Sequence, residues 1–489
     1  MRRLSYIIVS LIMVLTVSSI TAFARPDWPT DTGVQSEAGI VMDMDSGAVL
    51  FDQNIHEQKI PASITKLLTA LVVIENCDNL DAKITFSHDA VYNVESGSGN
   101  KLALEEGDVL SVRECLYVML LQSSNQAANA LAEYIGGSRS GFVDMMNQKV
   151  ADLGCQESHF ANPSGLNDDT QRTSAYDMAL IARAAFQNQQ LLEISSTRKA
   201  SIPPTINNPD GRTFSMEHKL LTTEDGSSEE YYPDAVAGKT GWTSQAGQTL
   251  VTYARRGDRG EIAVTLKSTQ KTHYSDTKTI LDFGFARFRN VNIADNETEY
   301  VTGNTPVTIG SETYQPSELY IDKVAVITIP NEAGFMDAEK ELVTELPKDH
   351  PEGAVAKLVY NYNERKIGEG WLFTTRARSV DAVAPPSEGE VPAGTEPSGD
   401  GTGQDAPDSK LPASFKLPAP LLMAGIGVLC LAAAVAGVCF WSFKRRKAEL
   451  ERQRQLREKR RQRLADIGFT EEDFERILEE RRQDRKSVV

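Results

Sequence analysis

Pro61-Ala-Ser-Ile-Thr-Lys-Leu-Leu-Thr-Ala-Leu-Val-Val-Ile-Glu75 is the stretch from which the rest of the chain can be read. Ile64, Leu67, Leu68, Leu71 and Val72 recur at helical spacing, and Pro61 stands where helices start, so the segment predicts a helix with an apolar face. Ser63 and Lys66 are three positions apart, which makes them neighbours on one face, about 5–6 Å apart at Cβ. A hydroxyl is a poor nucleophile until a base takes its proton. A lysine can be that base only where its surroundings disfavour the charged form. An apolar helix is such a place, but a Ser and a Lys at this spacing also recur by chance, and the pair alone decides nothing.

Upstream, Gly39 to Phe51 alternates around Asp45-Ser46-Gly47 and predicts a β-hairpin. Downstream, Ser111 to Ile135 predicts two helices broken at Gln122-Ser123-Ser124-Asn125, where polar residues interrupt the apolar pattern. Ser123 could relay a proton there, and Asn125 could hold a peptide backbone. Val236 to Lys239, Gln248 to Ala254 and Glu261 to Leu266 read as strands, followed by a helix from Asp276 to Phe285. At the end of the first of these strands stands Lys239-Thr240-Gly241. Its cation and hydroxyl suit a carboxylate, and its glycine lets a substrate backbone approach. Strands at both ends with helices between predict an α/β (α+β) domain, an antiparallel sheet flanked by helices. Glu297 to Thr374 changes to short alternating segments with Gly and Pro turns, which predicts a small all-β domain.

The three elements Ser63-Ile-Thr-Lys66, Ser123-Ser-Asn125 and Lys239-Thr-Gly241 fall in this order on helix, inter-helix turn and strand, the motif set of penicillin-recognising enzymes. Beyond them, PASITKLLTALVVIE, LLQSSNQAANALAEYIGG, HFANPSGLNDDTQRTSAYDMALIA and GKTGWTSQAG resemble the low-molecular-mass penicillin-binding proteins, the serine-type D-alanyl-D-alanine carboxypeptidases, almost continuously from Gly39 to Phe285. The resemblance implies a β-lactamase/transpeptidase-like fold and an acyl-enzyme mechanism without metal or other cofactor. It makes Ser63 the nucleophile, Lys66 the general base and Ser123 a catalytic partner, with Asn125, Lys239, Thr240 and Gly241 binding substrate. The N–H groups of Ser63 and of Trp242 or Thr243 would form the oxyanion hole. The implied partners are a peptidoglycan stem peptide ending in D-Ala-D-Ala and, as inhibitors, β-lactam antibiotics. Three features depart from the family pattern. Ser124 stands where Gly is frequent, Lys271 and His273 occupy the neighbourhood of an Arg found in relatives, and the C-terminal anchor is longer.

The ends predict export and anchoring. Arg2 and Arg3, the apolar run Ile7 to Val17 and Ala22-Phe23-Ala24 form a signal-peptide pattern over residues 1–24. A peptidase domain over 25–292, the all-β domain over 295–376 and a Pro/Gly/acidic linker over 380–415 follow. Residues 419–443 predict one transmembrane helix. Leu421 to Phe443 is a run of 23 residues without charge, enough at about 1.5 Å per residue to cross a core of about 30 Å. Lys444-Arg445-Arg446-Lys447 then places a charged tail, 444–489, in the cytoplasm. The net charge is −17. The tail carries 16 basic and 11 acidic residues and Arg2 and Arg3 are basic, so the segment between is about 24 negative. Nucleic acid is excluded as a partner of that acidic region. Cys430 and Cys439 fall in the span, leaving Cys77, Cys115 and Cys155 outside, an odd number that predicts free thiols and no disulfide framework.

Other chemistries fit less well. No Glu-x-x-Leu-Asn pattern follows Asn125, as a class A β-lactamase would need for deacylation. The six histidines are scattered and no His-Glu-x-x-His exists, which disfavours a metallopeptidase, and no Gly-x-Ser-x-Gly elbow supports a Ser-His-Asp hydrolase. A D,D-endopeptidase acting on cross-linked peptidoglycan and, in a different class, a non-catalytic wall-binding receptor are the alternatives.

Overall fold

The predicted hairpin is present as β1 (Ala38–Asp43) and β2 (Val49–Gln53). Asp43 shapes its turn, Oδ1 accepting from the N–H groups of Asp45 and Ser46 at 3.0 and 2.8 Å. The computed structural model describes residues 25–94, 99–347 and 350–376. These fall in one unit, Met1–Val383, while a second unit, Ala384–Val489, lies outside the described residues. The signal peptide read at 1–24, the linker at 380–415, the span at 419–443 and the tail at 444–489 lie outside them too. Among the described residues no helix is long and apolar enough to cross a membrane.

The hairpin joins three later strands, β3 (Ala235–Thr243), β4 (Gly247–Arg256) and β5 (Arg259–Ser268), in the antiparallel order β2-β1-β5-β4-β3. The strand β3 extends four residues beyond Lys239, where the sequence reading stopped, because Thr240-Gly241-Trp242-Thr243 shows no apolar alternation yet keeps the ladder to β4. Its other edge carries no strand partner among the described residues. Every position of β5 except Lys267 is buried, so both faces of the sheet are covered.

The helix α1 (Lys66–Glu75) is buried at every position from Lys66 to Ile74. Such a helix lies at the centre of a domain. The helices α2 (Val112–Gln122) and α3 (Asn125–Gly136) flank the predicted break. Each is capped by a serine. Ser111 makes a capping box with Glu114, and Ser124 Oγ accepts from Ala127 N at 3.2 Å. Further helices, α4 (Ala175–Gln187) and α5 (His273–Arg287), pack against β5.

A second antiparallel sheet follows: β6 (Phe288–Asn292), β7 (Leu319–Ile321), β8 (Val326–Pro330), β9 (Glu339–Val343), β10 (Ala354–Tyr362) and β11 (Arg365–Thr374). They run in the order β6-β8-β11-β10-β9, with β7 also paired to β11. Burial alternates strictly along β10, the mark of a strand with one covered face. The two sheets are joined by polar and aromatic contacts. Ser46 Oγ lies 2.6 Å from Thr328 Oγ1, and Trp28 packs against Phe288 and Tyr362 with ring centroids 4.8 and 5.9 Å away while donating to Leu50 O at 3.3 Å. Cys77, Cys115 and Cys155 are free.

Candidate active site

Ser63 sits in a single 3₁₀ turn, Ala62–Thr65, at the foot of α1, and Lys66 is the first residue of the α-helix. In a 3₁₀ turn side chains three apart eclipse one another, which suits this pair better than a regular α-helix would. Lys66 Nζ lies 3.0 Å from Ser63 Oγ and 2.7 Å from Asn125 Oδ1, and it also donates to the carbonyl of Ser164. The amine thus meets the Ser63 hydroxyl at hydrogen-bond distance while two carbonyl oxygens hold it in place, the geometry that a proton transfer between the two side chains needs. Ala62, just before Ser63, holds φ at +52°, a region costly for a residue with a Cβ.

Neighbouring loops hold that turn in place. Thr249 Oγ1 donates to Pro61 O at 2.8 Å, and Thr69 Oγ1 to Pro163 O at 2.7 Å. The second contact anchors the loop whose Ser164 carbonyl meets Lys66. Gly165 has φ +82°, and a Cβ there would lie 2.0 Å from Ala62 O. On strand β3 a Cβ at Gly241 would stand 2.9 Å from Ser63 N and 2.4 Å from Thr249 Oγ1. Only glycine lets the strand lie this close to the serine's N–H.

Across the cleft, Ser123 ends α2 in the left-handed conformation, φ +59°. Lys239 Nζ donates to Ser123 Oγ at 3.2 Å and to Thr240 O at 2.8 Å. Lys239 is 1% exposed, and burial pushes its pKa down to about 8. Between these walls lies a cleft of about 590 Å³, lined by Ser63, Ser123, Asn125, Thr240, Gly241 and further residues. All seven residues singled out in the three motifs therefore converge, with Lys66 and Lys239 just behind the lining.

His273 lines the cleft, but as a neutral group. Its Nδ1 lies 3.0 Å from Thr269 O, and burial holds its pKa below the ordinary imidazole value. Lys271 is exposed and does not line the cleft. Neither supplies a cation there. His218 is buried beneath β3 with Nε2 2.9 Å from Thr252 Oγ1, and burial pushes it down to about 3. Among the described residues no group of His, Cys, Asp or Glu is placed to hold a metal ion.

A family model described as D-alanyl-D-alanine carboxypeptidase matches residues 25–270. The chain belongs to the D-alanyl-D-alanine carboxypeptidase family. It is a serine-type peptidase with a penicillin-binding-protein-like fold. It is 31% identical over 291 residues to the D-alanyl-D-alanine carboxypeptidase DacF of Bacillus subtilis, covering 59% of this chain and 72% of that protein. To DacB2 of Mycobacterium tuberculosis it is 34% identical over 269 residues, 53% of this chain and 84% of that one. The crystal structure of penicillin binding protein 6B from Escherichia coli superposes with a TM-score of 0.52 at 26% identity, covering 72% of this chain and 98% of that chain.

For this carboxypeptidase, sequence reasoning passed over three contributors to the site. The Ser164 carbonyl lies in a quoted stretch, Asn162-Pro163-Ser164-Gly165, but a backbone acceptor leaves no residue-type signal; only the Pro-Ser-Gly turn could have drawn attention. Lys101 and Glu217 also line the cleft and are bonded to each other at 2.5 Å across 116 residues. No local pattern marks such a pair.

Proposed function

We propose that this protein is a membrane-anchored carboxypeptidase that removes the terminal D-alanine from peptidoglycan stem pentapeptides through an acyl-enzyme on Ser63. The observation that carries the reading is the 3.0 Å contact between Lys66 Nζ and Ser63 Oγ, at a cleft whose far wall holds Ser123 and Lys239. Ser63 Oγ attacks the carbonyl carbon of the penultimate D-alanine and its proton passes to Lys66. The C–N bond then breaks and Ser123 delivers a proton to the departing amine, its own hydroxyl being restored by the proton that Lys66 took from Ser63. The N–H of Ser63, with that of Trp242 or Thr243, holds the oxyanion, while Asn125, Thr240 and Gly241 align the peptide and Lys239 favours its terminal carboxylate. Water next cleaves the ester. A β-lactam acylates Ser63 in the same way, by opening of its ring amide. Release of D-alanine from a purified pentapeptide tests the reading. Cleavage confined to cross-linked dimers would replace it with an endopeptidase, and cleavage of neither would overturn it.

The organisation we propose is a removed signal peptide at 1–24, a peptidase domain at 25–292 and a β domain at 295–376, with β6 at their junction. A linker at 380–415, a span at 419–443 and a cytoplasmic tail complete it. The uncharged 23-residue run and the basic cluster behind it support the anchor and an extracytoplasmic catalytic domain.

A further inference from the structure

Lys101 and Glu217 lie outside the three motifs, yet both line the cleft. Lys101 Nζ donates to Glu217 Oε1 at 2.5 Å, and the two side chains are 57% and 32% exposed. An exposed ion pair by itself means little, since such pairs contribute about 0–1 kcal/mol. The position of this one is what matters. The segment carrying Glu217 runs along the Lys239 end of the cleft. Gln122 Nε2 donates to Ser215 O at 2.5 Å, Glu217 N to Leu121 O at 3.1 Å, and Lys219 N to Tyr274 Oη at 3.1 Å. It thus connects the end of α2, where Ser123 sits, with the start of α5, where His273 and Tyr274 sit. Both charges act on Lys239: Glu217 favours its ammonium form and Lys101 opposes it.

A substrate cut next to its C-terminus brings a carboxylate to this end of the cleft, and a carboxylate needs a net positive site. Glu217 is paired with Lys101, whereas Lys239 has no carboxylate within ion-pair distance among the described residues, so the three charges leave this end of the cleft with one net positive charge, and the ring of His273 is uncharged near neutral pH. Of the two cations Lys101 is the accessible one, its side chain 57% exposed where Lys239 is 1% exposed. Its ammonium has three N–H groups, and the bond to Glu217 occupies one. We infer that Lys101 binds the substrate's terminal carboxylate, acting from the loop at residues 99–102. The inference rests on the carboxypeptidase reading above.

Two peptides that differ only at the C-terminus test it, one ending in D-Ala-D-Ala as the free acid and the other in D-Ala-D-alaninamide. In the full-length protein, Lys101→Met should lower kcat/KM on the acid about tenfold, mainly through KM, and leave the amide unchanged, whereas Lys101→Arg should keep the wild-type ratio of acid to amide. Equal loss on both peptides, or no loss on the acid, overturns the inference while wild-type hydrolysis leaves the carboxypeptidase reading standing. A wild type that hydrolyses neither peptide removes both.

Discussion

Two lysines, one in each sheet region, carry pKa shifts of opposite sign. Lys239, on β3, is buried with no carboxylate within ion-pair distance among the described residues, and its pKa falls to about 8 because burial disfavours its charge. Lys340, on β9, is exposed and loses only part of its water, and the hydrogen bonds it donates to Glu299 and Glu297 outweigh that loss and raise its pKa. Glu297 is itself held by the Tyr360 hydroxyl at 2.8 Å. The second sheet therefore neutralises its buried carboxylate, Glu297, internally, as a structural element should. The peptidase region leaves Lys239 without an ion-pair partner among the described residues, and it also tolerates left-handed backbone at Ala62 and Ser123. Such uncompensated features mark function and cost stability.

The largest effect should come from the peptidase side. Lys66→Met keeps most of the buried volume and removes the amine proposed as the base, so acylation by a penicillin should slow by about 10²- to 10⁴-fold. Stopped-flow acylation rates on protein whose circular dichroism is unchanged would measure it. A loss below threefold would mean that another group activates Ser63.

The two lysines next predict pH effects of opposite sign. The pKa of Lys239 in the folded protein lies below its unfolded value of about 10.4. Between about pH 8 and 10.4 the unfolded chain binds more protons, and this group's burial penalty, full below pH 8, is relieved as pH rises. Over the same window the ammonium is lost, so KM for a free-acid peptide should rise several-fold from pH 7 to 9 while that for an amidated peptide stays level. Lys340, with its pKa raised, contributes stability that is present below its unfolded pKa and is lost as pH rises through its higher folded value. A KM for the acid that is flat to pH 9 would break the comparison.

On the structural side, Glu297→Gln should cost about 1–3 kcal/mol of stability and leave kcat/KM within about twofold at a temperature where the variant is folded. Thermal melts paired with peptide assays would show this, and a matching loss of activity would mean that the second sheet acts on the cleft. The smallest effect concerns His273. Because burial lowers its pKa, its ring titrates below the ordinary range, so His273→Gln should leave the shape of the pH–KM curve unchanged between pH 6.5 and 8. A slope present in wild type and absent in the variant would restore the ring as a cation.

What was legible in the sequence follows from how far each signal reaches. The helix read from Pro61 onward is present as a 3₁₀ turn at 62–65 followed by the α-helix at 66–75, and the break at Ser123, also a local pattern, stands where it was read. The strands β7 and β9 escaped notice because one is only three residues long and the other, Glu339 to Val343, is exposed or half-buried throughout and shows no alternation. At the site, residue types in fixed order led to Ser63, Lys66, Ser123, Asn125, Lys239, Thr240 and Gly241. The Ser164 carbonyl and the Lys101–Glu217 pair depend on distant segments meeting, and His273 needed its burial to be seen before its charge could be assigned.

Intact-mass and peptide-mass measurement after exposure to benzylpenicillin tests the central claim most directly. The account predicts one penicilloyl adduct per chain, mapped to Ser63 and absent from Ser63→Ala. An adduct of undiminished yield in Ser63→Ala, or one mapped to another residue, would contradict it.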